Sequence, residues 1–219
     1  MRPDYGRSDD PKLAAATLLV ATTNDGKLRE IRPLLTDLPI ELVTLASWPD
    51  LPPPEETGRT FPENARLKAR YYAAATGLLT VAEDSGLEID ALGGAPGVES
   101  ARFGGTRTSY AQKFALIYEH LRAVSAGGSS ARFICALALA EGEEVLFETQ
   151  GIVEGRIAGE PKGEGGFGYD PIFYYPPFGC TLAEAGERKS AVSHRGAAFR
   201  AFRAYLTQTR MFMPRPRPQ

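Results

Sequence analysis

"TLLVATTNDGKLREIRPLL", residues 17–35, takes an apolar strand into a helix with almost no connecting chain. "TLLVAT" is the short continuous apolar run of a buried strand, and Leu28, Ile31, Leu34 and Leu35 recur at helical spacing. Strand followed directly by helix is the repeating unit of an α/β domain. The junction itself, "TTNDGK", places Thr22, Thr23, Asn24, Asp25, Gly26 and Lys27 at the helix start. Hydroxyls, an amide and unpaired backbone N–H groups at a helix N-terminus suit phosphate oxygens, and Lys27 adds a positive charge. This is not a Walker A loop, which is longer and ends in Lys-Ser/Thr. The same residues would also serve as a plain cap and turn.

Outward from this junction the alternation continues. "IELVTL" (40–45) reads as a second strand, and "WPDLPPPEETGR" (48–59) as a proline-rich loop. In "TFPENARLKARYYAAAT" (60–76), Thr60, Pro62 and Glu63 supply a cap, an early proline and a capping-box acid for a helix. "GLLTVAEDSGLEIDAL" (77–92) reads as strand, tight turn, strand, followed by a glycine-rich loop and an amphipathic helix over 108–123. "SAGGSS" (125–130) reads as a flexible surface connection. Two strands around "AEGEE" predict an antiparallel hairpin, and residues 190–206 a last helix. The expectation is one α/β domain over 15–208 around a mixed sheet, with a loose N-terminal tail (1–14) and a basic, proline-rich tail (209–219).

Composition narrows the function. The 219 residues are 43% hydrophobic and 24% charged, enough for one globular domain or two small lobes. Lys and Arg total 25 against 27 acids, a net charge of −2. A protein gripping a nucleic-acid polymer usually carries a basic excess, so an anionic ligand here should be small and held by a local group of cations. Cys135 and Cys180 form neither a disulfide framework nor a zinc spacing. No apolar run approaches the roughly 20 residues that cross a bilayer. "MRPDYGRSDDPK" lacks the apolar stretch of a secretory signal. A soluble protein in a reducing cytoplasm is expected.

Three further loops collect chemistry. In "AEDSG" (82–86), Glu83 and Asp84 end an apolar strand, where a carboxylate can hold a divalent metal and steer a water. A solvated turn is the alternative. Glu55 and Glu56 could add a further metal ligand from the proline-rich loop, or could be solvated charges. "GGFGYD" (165–170) offers close backbone approach beside Phe167, Gly168, Tyr169 and Asp170, a combination that suits a nucleobase. "ERKSAVSHRG" (187–196) brings Lys189, His194 and Arg195 near a helix start, where cations are disfavoured unless an anion is present. His120 lies in an ordinary amphipathic helix and is assigned no role.

Together "ATTNDGK", "EETGRTFPENARLKA", "AEDSGLEIDALGGAPGVESARF", "GGFGYDPIF" and "KSAVSHRG" resemble the inosine/xanthosine triphosphate pyrophosphatase family, in the family's order over residues 17 to about 206. The resemblance implies an elongated two-lobed α/β fold around a central mixed sheet, an active site in the cleft between lobes, and a homodimer. It also implies Mg²⁺ and cleavage of ITP, dITP or XTP between the α and β phosphates. Carried over by motif, Thr22 to Lys27 would cradle the triphosphate. Asp84 would be the proton acceptor and a metal ligand, with Ser85 beside it, and Glu55, with Glu83 as the alternative, would be the second metal ligand. Phe167 to Asp170, Lys189, His194 and Arg195 would bind substrate, with Arg195 donating to O6 of the purine and Asp170 accepting near N1. Thr23 and Glu83 stand where many relatives have glycine and aspartate. The related septum-inhibitor (Maf-like) pyrophosphatases have a different phosphate loop and lack the "GGFGYDPIF" and "SHRG" pairing. A nucleotide sensor without turnover would need no water-activating carboxylate.

Overall fold

The computed structural model describes residues 16–124 and 128–209. The expectations for the two tails and part of "SAGGSS" fall outside these residues. Strand β1 (Ala16–Val20) feeds α1 (Asp25–Leu35), which returns to β2 (Ile40–Thr44). Then follow α2 (Phe61–Thr76), β3 (Leu79–Ile89), α3 (Tyr110–Ala123), β4 (Ser130–Glu141) and β5 (Glu144–Ile157). Short β6 (Phe173–Tyr175) and β7 (Cys180–Thr181) precede α4 (Lys189–Val192) and α5 (His194–Gln208). The strands form one seven-stranded sheet in the order β2-β1-β3-β4-β5-β6-β7. β1 runs parallel to β2 and β3, and all later neighbours are antiparallel. The expected mixed α/β sheet is present.

Three long strands make the molecule two-lobed. β5 has 14 residues, a span of about 45 Å at ~3.3 Å per residue, and β3 and β4 run beside it. At one end α1 and α5 cover one face, burying Leu18, Ile31, Leu137, Phe199 and Phe202. α2 covers the opposite face, where Ala65, Ala69 and Ala73 meet Ala82, Ala136, Ala138 and Ala140. Small residues on both surfaces let this helix lie close on the sheet. At the other end α3 packs Phe114, Ile117 and Leu121 against Leu87, Ile89, Phe133 and Phe173.

Local signals place the helices well. Thr60 and Glu63 form the expected capping box of α2, whose C-terminus is closed by Gly77 at φ 73°. Two expectations are corrected. Residues 82–86 are not a turn: β3 runs straight through them, paired with β4 from Thr80↔Ala140 to Ile89↔Ala131. The last helix is broken at Ser193, which leaves α4 extended and caps α5 by accepting from Gly196 N–H.

Candidate active site

Because β3 is continuous, Glu83 and Asp84 project to opposite faces of the sheet at the level where the lobes meet. Asp84 faces α2. Asn64 and Lys68, one turn apart on that helix, reach it: Nδ2 of Asn64 donates to Oδ2 at 3.3 Å and Lys68 Nζ lies 2.8 Å from Oδ1. The same ammonium is 2.8 Å from Oε1 of Glu56, whose other oxygen takes Arg102 at 3.2 Å. Burial pushes the Asp84 carboxyl above its ordinary value despite Lys68. At Glu56, burial is outweighed by Lys68 and then Arg102, which hold its carboxyl below the usual range.

Glu83 faces the other way, toward α1 and α5. It meets Lys27 Nζ at 2.8 Å and Arg195 Nη2 at 3.2 Å, and accepts from the Cys135 thiol at 3.2 Å. Burial opposes its ionisation, but Arg195 and Lys27 prevail and hold it well below the ordinary value. Arg195 also donates to Ser85 Oγ at 2.9 Å and to Glu30 at 2.6 Å. Glu30 accepts Lys189 at 2.6 Å, and Lys189 reaches Asp170 Oδ2 at 2.6 Å. Alternating charges therefore run from the helix start to the aromatic loop: Lys27, Glu83, Arg195, Glu30, Lys189, Asp170.

The junction that opens the sequence is a true cap. Asn24 Oδ1 accepts from Lys27 N–H at 3.1 Å, and Thr22 Oγ1 accepts from Asn24 N–H at 3.2 Å. Gly26 is required by close approach, since a Cβ there would come 2.9 Å from the Phe167 ring. Phe167 N–H donates to Asp170 at 2.8 Å, and Lys189 and Arg195 lie 4.8 and 5.5 Å from the Phe167 ring centre. Tyr169 is buried and its hydroxyl donates to the Ser100 carbonyl at 2.8 Å. His194 is buried and stacked on Phe133 at 4.9 Å. Burial, and then Arg195, keep its imidazole neutral, and Nδ1 has no hydrogen-bond partner among the described residues.

Two cavities meet here. A smaller one, about 170 Å³, is bounded by Asp84, Ser85, Phe167, Gly168, Asp170, Lys189, His194 and Arg195. A larger one, about 490 Å³, is bounded by Thr22, Thr23, Asp25, Trp48 and the proline-rich loop. Lys27, Glu56 and Lys68 line both.

The Ham1 family profile matches residues 18–205. The chain belongs to the Ham1 family. It is 47% identical over 190 residues to a dITP/XTP pyrophosphatase of Exiguobacterium sp., covering 86% of this chain and 96% of that protein. It is 48% identical over 190 residues to the dITP/XTP pyrophosphatase of Thermus thermophilus, covering 86% and 91%. The solved structure of a HAM1 protein from Coxiella burnetii shares the fold at a TM-score of 0.83 and 43% identity, covering 88% of this chain and 99% of that one.

In this Ham1 chain most residues singled out from sequence converge, and one detail differs. Glu55 is exposed and makes no ion pair among the described residues, whereas Glu56, one residue on, turns into the cleft. Lys189 and Arg195 line only the smaller cavity, so the lysines beside the larger one are Lys27 and Lys68. Asn64, Lys68 and Glu30 escaped the sequence reading. For α2 a signal existed: once Thr60 sets the helix phase and the alanines face the sheet, Asn64 and Lys68 fall together on the adjoining stripe.

Proposed function

We propose that this protein hydrolyses non-standard purine nucleoside triphosphates, dITP, ITP and XTP, to the monophosphate and pyrophosphate, acting on the free nucleotide pool of the cytoplasm. The observation that carries this reading is the junction of the two cavities at Lys27, Glu56 and Lys68, with Asp84 beside it. One cavity has room for a flat bicyclic base. The other adjoins the N-terminus of α1, whose N–H groups suit phosphate oxygens. The names of the Exiguobacterium and Thermus relatives support the same substrates.

Mg²⁺ belongs to this proposal. Asp84 and Glu56 offer hard carboxylate oxygens on either side of the Lys68 ammonium, so a cation is already accommodated there. Among the described residues no group of three or more acidic, histidine or cysteine side chains converges. That fits an ion held by one or two carboxylates and completed by phosphate and water. When bound, Mg²⁺ would neutralise phosphate charge and acidify a nearby water. Asp84 would orient the attacking water and take its proton. Lys27 and Lys68 would stabilise the charge that builds on the leaving phosphates.

For base choice, Asp170 Oδ2 is taken by Lys189 and Phe167 N–H, while Oδ1 makes no hydrogen bond among the described residues. Four hydrogen bonds commit Arg195 to Glu83, Glu30 and Ser85, leaving one N–H of Nη1 from its five donors. Asp170 Oδ1 would accept from N1–H of hypoxanthine or xanthine and Arg195 would donate to O6. Adenine presents the opposite pattern and would leave buried groups unpaired. A homodimer is also part of the reading, from family resemblance; a sedimentation mass near 23.7 kDa would count against it. The deciding assay is pyrophosphate release from dITP, XTP and dATP with and without Mg²⁺. Orthophosphate as first product, or equal rates on dATP, would sink the proposal.

A further inference from the structure

Under the proposed reading Asp170 and Arg195 reject adenine, but nothing in that pair tells xanthine from hypoxanthine. The two bases differ at position 2, where xanthine carries an oxygen and hypoxanthine a C–H. In a nucleotide the N3 proton of xanthine is lost near neutral pH, and the charge spreads onto O2. Hypoxanthine stays uncharged. A base held by Asp170 at N1 turns position 6 to Arg195 and position 2 to the other flank of that carboxylate.

Arg195 enters the smaller cavity from α5, anchored on Glu83 and Glu30, whereas Tyr110 enters it from the start of α3, in the second lobe. A Cβ on Gly168, two residues before Asp170, would lie 3.6 Å from the Tyr110 hydroxyl. That hydroxyl makes no hydrogen bond among the described residues, and burial and then the Asp170 charge keep it protonated. The other hydroxyls of this wall are committed: Tyr169 donates to the Ser100 carbonyl and Ser100 to the Gly97 carbonyl.

Behind Tyr110 stands Lys113. It is 3% exposed, donates to the Ala101 carbonyl at 2.6 Å and lies 4.7 Å from the Tyr110 ring centre. No carboxylate among the described residues meets it, and burial lowers its pKa. An ammonium held out of water without a counter-ion is costly. Ala101 and Tyr110, the two residues it touches, both line the base cavity.

We propose that Tyr110 reads position 2 of the base, donating its hydroxyl to O2 of the xanthine anion, and that the Lys113 ammonium behind it favours that charge. This rests on the pyrophosphatase reading of the site and on Asp170 holding N1. Tyr110 touches the substrate. Lys113 acts from behind the wall through its charge, which a site of low dielectric screens weakly. Hypoxanthine gains neither interaction, so both residues act on the choice between the two substrates rather than on turnover in general.

The test measures kcat/KM for XTP and for ITP by pyrophosphate release with Mg²⁺, above neutral pH. Tyr110→Phe keeps the ring and its edge-on contact with Tyr169. It should lower kcat/KM on XTP by about tenfold, the scale of one hydrogen bond to a charged acceptor, and on ITP by less than about twofold. Lys113→Met should lower the ratio of XTP to ITP by at least about threefold, and Lys113→Arg, which keeps the charge, should recover part of it. An unchanged ratio in Tyr110→Phe overturns the inference, as does an equal loss on both substrates, the mark of a structural role. An unchanged ratio in Lys113→Met overturns the part given to Lys113. Failure of the wild type on XTP and ITP alike overturns the pyrophosphatase reading and this inference with it.

Discussion

Lys68 Nζ stands 2.8 Å from Asp84 Oδ1 and holds Glu56 at the same distance, so one ammonium joins a carboxylate of the sheet to a carboxylate of the proline-rich loop. That relationship couples proton transfer to charge. Burial raises the Asp84 pKa and Lys68 is the leading influence that lowers it. Asp84 must be ionised to act as a base, so the acid limb of kcat/KM follows its pKa. Lys68→Met should move that limb to higher pH, because burial is then less opposed. A limb that stays in place in the pH–rate profile would separate Asp84 from the rate.

Asp84→Asn keeps the shape and an acceptor for Lys68, puts a donor where Oδ2 accepted from Asn64, and removes the base. The fold should survive, by circular dichroism, and kcat should fall by at least ~10², the scale for losing a general base. Near-normal turnover would remove Asp84 from catalysis.

Glu55 and Glu56 make a paired test of the metal site. Glu56→Gln should raise the Mg²⁺ concentration giving half-maximal activity, whereas Glu55→Gln, at an exposed position, should leave it unchanged. Equal effects from the two variants would contradict the placement of Glu56.

Glu83 bears on stability rather than chemistry. Its folded pKa lies well below the ordinary 4.5, so its contribution is present above that value and fades as pH falls through the folded one. Glu83→Gln leaves Lys27 and Arg195 without their shared carboxylate and should cost about 3–5 kcal/mol at neutral pH. The gap between variant and wild type should shrink in acid. Denaturant titrations at pH 7 and near pH 3, well under the ordinary carboxylate value, measure both; a gap independent of pH would refute the assignment.

Asp170 is the residue through which to alter base choice, because Arg195 is buried and anchors both Glu83 and Glu30. Asp170→Asn can present a donor where Oδ1 was an acceptor. The ratio of kcat/KM for dITP over dATP should fall by at least ~10, within the range that misplaced buried polar groups produce. An unchanged ratio would exclude Asp170 from reading the base.

By itself the sequence determined what acts over a few residues. The strand-to-helix junction at Thr22–Lys27, the capping box of Thr60 and Glu63, and the β4–β5 hairpin all form as their local pattern predicts, because caps and turns are satisfied within one turn of chain. Tertiary structure decided the rest. Serine, glycine and two acids in "AEDSG" read locally as a turn, yet pairing with β4 carries β3 through them and sends Glu83 and Asp84 to opposite faces. Glu55 and Glu56 lie in an irregular loop with no periodicity, so only Lys68 and Arg102, brought from α2 and the other lobe, select between them. Lys189 and Arg195 find Glu30 from 159 and 165 residues away. Buried charges must be paired, and which partner is in reach depends on how the sheet brings distant segments together.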